Sequence, residues 1–72
     1  MNLARNRATY TYYNIKSAAM RSVLGAAKDI IDGHTIECRF HINTVWMIDG
    51  CRRSAIDTLA FLNELYKEKN DG

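Results

Sequence analysis

The sequence of 72 residues contains no proline, only two cysteines and only four glycines. It therefore has few of the residues that are typical of specialised small-protein scaffolds. Two cysteines allow at most one disulfide bond, which excludes a disulfide-rich scaffold. The glycines at positions 25, 33 and 50 are isolated from one another, and no GxGxxG pattern or Walker motif occurs. A glycine-rich loop that cradles phosphate groups is therefore not indicated.

Long hydrophobic runs are missing as well, since uninterrupted runs reach only four residues, as at positions 45–48. A membrane-spanning helix needs about 18 apolar residues or more. The first residues, Met-Asn-Leu-Ala-Arg, contain no apolar segment typical of a signal peptide. We therefore expect no membrane partner and a cytoplasmic location with reduced thiols.

What is present is the composition of a globular domain, with 47% hydrophobic and 25% charged residues. The length fits a single domain over residues 1–72, in which we expect residues 1–7 and 69–72 to be flexible. A chain this short buries only about 60% of its unfolded surface, so its core is thin. Self-association is a common remedy for a thin core, which favours a homodimer or a complex with another protein.

The clearest local pattern is an alternation of apolar and polar residues over positions 34–42, which predicts a β-strand at 35–42. The residues expected on its core face are Ile36, Cys38, Phe40 and Ile42. A possible two-residue turn at Asn43-Thr44 would place Val45 and Met47 on that same face and Trp46 on the other. Trp46 then either packs in the core or anchors an interface.

Helical periodicity predicts two helices that flank this strand region. The first is expected over residues 15–31, with Asn14 as its N-cap and Gly33 just beyond its end. The second begins after Ser54, because Ser54 and Asp57 have the spacing of a capping box. Residues 8–13 form either an edge strand or the first turn of helix one. The predicted class is α+β, in the order β-α-β-β-α with an uncertain first strand, and two helices pack on one face of a short antiparallel sheet.

Side chains that could perform chemistry are few and poorly spaced. Histidine and cysteine occur at positions 34, 38, 41 and 51, but no Cys-x-x-Cys pair is present and the strand would direct His41 away from Cys38. Cys51 precedes two arginines, yet no base or oxyanion site accompanies it. We expect no metal, no cofactor, no catalytic residue and no small-molecule substrate, and therefore no enzyme.

Charge is unevenly distributed along the chain. Residues 1–31 contain five basic and one acidic residue, a net charge of +4, and residues 32–72 contain five basic and seven acidic residues, a net charge of −2. Arg52 and Arg53 precede the N-terminus of helix two, where an anion would be favoured. The residues that could contact an anion or a nucleic acid are Arg5, Arg7, Arg21, Lys28, Arg52 and Arg53.

Two functions follow as hypotheses. The first is a small protein-binding module (an adaptor, inhibitor or accessory regulator) that uses an apolar interface at Trp46, Phe61 and Leu65, because Phe61 and Leu65 could form an apolar patch ringed by acidic residues. The alternative is a regulatory protein that binds nucleic acid through the basic residues named above.

Overall fold

Two helices flank a four-stranded sheet in the computed structural model, which describes residues 3–70. The elements are α1 (Leu3–Arg21), β1 (Ala26–Ile31), β2 (His34–Phe40), β3 (Thr44–Ile48), β4 (Cys51–Arg53) and α2 (Ala55–Asn70). The strands form one antiparallel sheet in the order β1-β2-β3-β4, and both helices pack on it. The predicted α+β class is confirmed.

The core lies between one face of the sheet and the two helices. Helix α1 presents a stripe of buried residues at intervals of three or four positions, and three of its five members are alanines: Ala4, Ala8, Tyr12, Ile15 and Ala19. The small alanines let α1 lie close to α2, which contributes Leu62, Leu65 and Tyr66. At the centre of the core, the rings of Tyr12 and Trp46 stack with centroids 4.4 Å apart.

The predicted boundaries of helix one are wrong. Asn14 lies inside α1 rather than at its start, and residues 8–13 are helical. Residues 3–7, expected to be flexible, form the first turns of α1, and residues 26–31 form strand β1 instead of the end of a helix. Positions 69 and 70, which were also expected to be flexible, belong to α2. Residues 1–2 and 71–72 lie outside the described residues.

Two tight backbone features explain why residues 26–31 form a strand. Gly25 has a φ of 68°, and its carbonyl oxygen accepts a hydrogen bond from the Phe40 N–H at 2.6 Å. Asp32 and Gly33 also have positive φ, 52° and 81°, which is typical of a hairpin turn of the Asp-Gly type. Gly33 therefore joins β1 to β2 and does not terminate a helix.

The predicted core face of the second strand is confirmed at Ile36 and Cys38, which are buried, and Phe40 is half-buried against the core. The strand ends at Phe40, which pairs with Thr44 across a three-residue loop. A three-residue loop shifts the register by one position from a two-residue turn, which moves every side chain of β3 to the other face.

This shift corrects the expected orientation of β3. Trp46 pairs with Cys38 and lies in the core, whereas Val45 and Met47 lie on the opposite face of the sheet. Ile42, expected in the core, is exposed in the loop before β3.

The predicted start of helix two is confirmed. The Asp57 N–H donates to Ser54 Oγ at 3.1 Å, and the Thr58 N–H donates to the Ser54 carbonyl at 2.9 Å. Because Ser54 follows Arg53 directly, the chain leaves the sheet and enters α2 without a loop.

Candidate functional site

The structure places the predicted interface residues mostly inside the molecule. Trp46 and Leu65 are only 2% and 7% exposed. Phe61 is half-buried and meets the ring of His34 edge-on, with centroids 5.1 Å apart. Trp46 and Leu65 therefore expose too little area to form a protein interface with Phe61, although the edge of Trp46 borders a groove.

The six predicted basic residues are all exposed, but they do not form one patch. Arg5, Arg7 and Arg21 are spread along α1, and the Arg7 guanidinium lies 4.8 Å from the centre of the Tyr66 ring. Lys28 lies on the sheet face that points away from the core, opposite Glu37. Only Arg52 and Arg53 meet another cation, because they line one groove together with Lys16 of α1.

Several exposed apolar side chains lie at the same end of the sheet. Strands β1 and β3 begin at this end, β2 and β4 finish there, α1 ends and α2 begins. Five large apolar residues of these loops and helix ends are each at least 64% exposed: Met20, Val23, Leu24, Ile42 and Ile56. We call this set the loop end.

The sequence does not indicate the loop end, because two regular patterns continue beyond the residues at which α1 and β2 end. Val23 falls within the predicted range of helix one, although α1 ends at Arg21. Ile42 was assigned to the core face of a strand that ends at Phe40. The signals that could have corrected both are Gly25 and Asn43, which are turn-favouring residues close to each position.

The turn end of the sheet, formed by the Asp32-Gly33 and Asp49-Gly50 turns, has a different character. Asp49 Oδ2 lies 2.7 Å from His34 Nδ1, and Asp49 Oδ1 accepts a hydrogen bond from the Thr35 N–H at 2.9 Å. The hydrogen bond from His34 is the main cause that lowers the pKa of Asp49, followed by the one from Thr35. These contacts fasten the β3–β4 turn to strand β2.

The two cysteines differ in environment. Cys38 is buried, and loss of solvation raises the pKa of its thiol, which opposes formation of a nucleophilic thiolate. Cys51 is exposed on the edge strand β4. Within residues 3–70, no three His, Cys, Asp or Glu side chains lie close enough together to hold a metal ion. Neither helix, over the residues described, is long and apolar enough to cross a membrane.

Comparison of the chain with protein-family models, with curated proteins and with solved structures gives no match. The loop end and the groove beside Lys16 are therefore the surface features from which a function can be inferred.

Proposed function

We propose that this chain is a non-enzymatic protein-binding module that docks its partner on the loop end. The observation that supports this is the exposure of five large apolar side chains at one end of a domain with a small core. Contiguous exposed apolar surface marks interaction sites in soluble proteins, and its burial gains about 25 cal/mol per Å² before the costs of association. A module of this kind acts in the cytoplasm as an adaptor, an inhibitor or an accessory regulator.

The charges around the loop end indicate what kind of partner fits. Arg21 ends α1, and Arg52 and Arg53 lie beside the start of α2, so cations flank the apolar residues. Asp57 in the first turn of α2 is the acidic residue closest in sequence to Ile56. The complementary surface is an apolar patch with an acidic rim, because opposite charges around an interface favour encounter and select the correct partner.

A second candidate, nucleic-acid binding, has a specific observation in its favour. Helix α1 carries four basic residues and no acidic residue along its 19 positions. One depression on its exposed side contains Arg5, Tyr10 and Tyr13, with both tyrosine side chains more than half exposed. Cations beside accessible aromatic rings suit a single strand, whose bases stack on the rings.

The experiment is affinity capture from the source cells with the tagged full chain, with and without nuclease, followed by calorimetry with each captured protein after purification. We expect the variant Leu24→Asp with Ile42→Asp to lose the partner, since charged side chains interrupt the apolar surface. The matched control is Ile30→Asp, which replaces another largely exposed isoleucine, on β1 and far from the loop end. Circular dichroism should show the same fold in all three proteins.

Each outcome decides between the candidates. Binding of a purified protein that survives nuclease and Ile30→Asp, but not the loop-end substitutions, supports the proposal. Capture that disappears with nuclease, together with a gel shift of RNA or DNA that weakens in an Arg5→Gln and Arg7→Gln variant, would establish the second candidate instead. A purified partner that binds the loop-end variant as tightly as the wild type would refute the docking surface.

A further inference from the structure

We infer that the groove between α1 and the start of α2 binds a phosphate group. This inference goes beyond the protein-binding proposal and does not depend on it. The groove has a volume of about 570 Å³, and the side chains that define it come from four elements, α1, β3, β4 and α2.

The groove exists because β4 is shorter than the strand beside it. Strand β4 has three residues and pairs only with positions 46–48 of β3. The chain then turns away at Ser54 to begin α2, which leaves Thr44 without a neighbouring strand on that side. Lys16 of α1 and Ala55 of α2 border the space that results.

The charge in this groove is of one sign. Lys16, Arg52 and Arg53 line it, and no acidic residue does. Arg53 also borders a neighbouring depression that contains Asp57 and Glu64, but neither carboxylate lies within 4.0 Å of its guanidinium. Cations from two elements that border one groove repel one another, and a bound anion reduces that repulsion.

Hydrogen-bond donors accompany the charge. Trp46 forms part of the groove wall, and its buried indole Nε1–H has no acceptor among the described residues. A buried donor without an acceptor is costly, and folded proteins rarely leave one. The backbone N–H groups of Ala55 and Ile56 have no acceptor within α2, because they lie in its first turn. The Ser54 hydroxyl accepts from the Asp57 N–H instead of from either of them.

A phosphate fits this set better than a carboxylate. A carboxylate offers two oxygens in one plane, whereas a phosphate directs its oxygens tetrahedrally and can meet donors from α1, β4 and α2 at once. Guanidinium groups bind phosphate oxygens in pairs, and helix N-termini favour the same anion. The groove is also open and large enough for a phosphate that belongs to a larger molecule.

The test uses inorganic phosphate, O-phosphoserine and acetate with the full chain. Trp46 is the one tryptophan of the sequence, so its fluorescence and its single indole ¹H–¹⁵N signal report on this groove alone. We expect saturable changes with both phosphate compounds and none with acetate or with sodium chloride at equal ionic strength. Arg52→Gln and Arg53→Gln should each weaken phosphate binding about tenfold, as loss of one charge-assisted hydrogen bond predicts.

The matched control is Lys28→Gln, which removes the same charge on β1, at the opposite edge of the sheet from β4, and should leave binding unchanged. Both arginines are exposed, so their replacement should not unfold the chain, and circular dichroism verifies this. Response to inorganic phosphate alone would mark a site for the free ion, and tighter binding of O-phosphoserine would mark one for a phosphorylated ligand. An absent response, an equal response to acetate, or equal weakening by Lys28→Gln would overturn the inference.

Discussion

Single residues decide where the first half of this chain changes from helix to strand, and Gly25 is the most important of them. Its φ of 68° is in the left-handed region, and a Cβ built on it would lie 2.8 Å from the Phe40 carbonyl oxygen. Side chains rarely tolerate either condition. Glycine at this position therefore allows the chain to leave α1 and pair at once with the end of β2.

Replacement of Gly25 by alanine should therefore lower the free energy of unfolding more than the same replacement at Gly33. Gly33 has a φ of 81°, but its Cβ position has no neighbour within 4 Å. We expect Gly33→Ala to lower the free energy of unfolding by about 1–2 kcal/mol through backbone strain. Gly25→Ala should lose roughly 1 kcal/mol more, because the backbone must also shift. Urea denaturation measures both, and equal losses would contradict the crowding at Gly25.

At the scale of elements, sequence periodicity predicted α2 and the core face of β2 but not α1 or β1. Ser54 and Asp57 are three positions apart in the sequence and cap α2 through a local hydrogen bond, so their pattern sufficed. The stripe of α1 consists mainly of alanines, which a search for large apolar residues overlooks. The alanines of β1 favour helix intrinsically, and pairing with β2 overrides that preference.

The hairpin β3–β4 depends on a second kind of contact, between its turn and β2. Asp49 bonds to His34 and to the Thr35 N–H, which lowers the pKa of its carboxyl group. Since the folded pKa lies below the unfolded value, the ionised carboxylate stabilises the fold. This contribution is complete above the unfolded pKa, about 3.9, and is lost as the pH falls through the lower folded pKa.

We therefore expect acid to destabilise the wild type more than an Asp49→Asn variant. Denaturation midpoints measured from neutral pH to below about 3.9 should converge, because only the wild type loses the ionised carboxylate. The control is Asp32→Asn, which makes the same substitution at the matching position of the other Asp-Gly turn. It measures the effect of the substitution on the turn itself. Parallel acid dependence in the wild type and Asp49→Asn would show that the turn is not held by this carboxylate.

At the scale of the whole molecule, the candidate sites could be predicted only in part. The arginine pair before α2 was recognisable because it is contiguous in the sequence. Lys16 and Trp46 join it only through the packing of α1 and the register of β3, neither of which the sequence predicted correctly. The loop end likewise combines residues from two loops and two helix ends, so no linear pattern marks it.

The distribution of charge over the whole molecule governs how two copies can meet, and it bears on the predicted homodimer. A symmetric contact through the loop end places Arg21, Arg52 and Arg53 of one copy near the same residues of the other. The apolar side chains attract and the cations repel, and salt screens only the repulsion. The Debye length falls from about 30 Å at 0.01 M salt to about 3 Å at 1 M.

Self-association through the loop end should therefore strengthen as salt is added, whereas binding of a partner with an acidic rim should weaken. Sedimentation equilibrium at about 0.01 M and about 1 M salt tests this, because the two regimes differ tenfold in screening length. Leu24→Asp with Ile42→Asp should suppress the association at high salt, and Ile30→Asp should not. A dimer that forms at low salt and dissociates at high salt would indicate instead a head-to-tail contact between the basic loop end and the acidic turn end, with Asp32 and Asp49 facing the arginines.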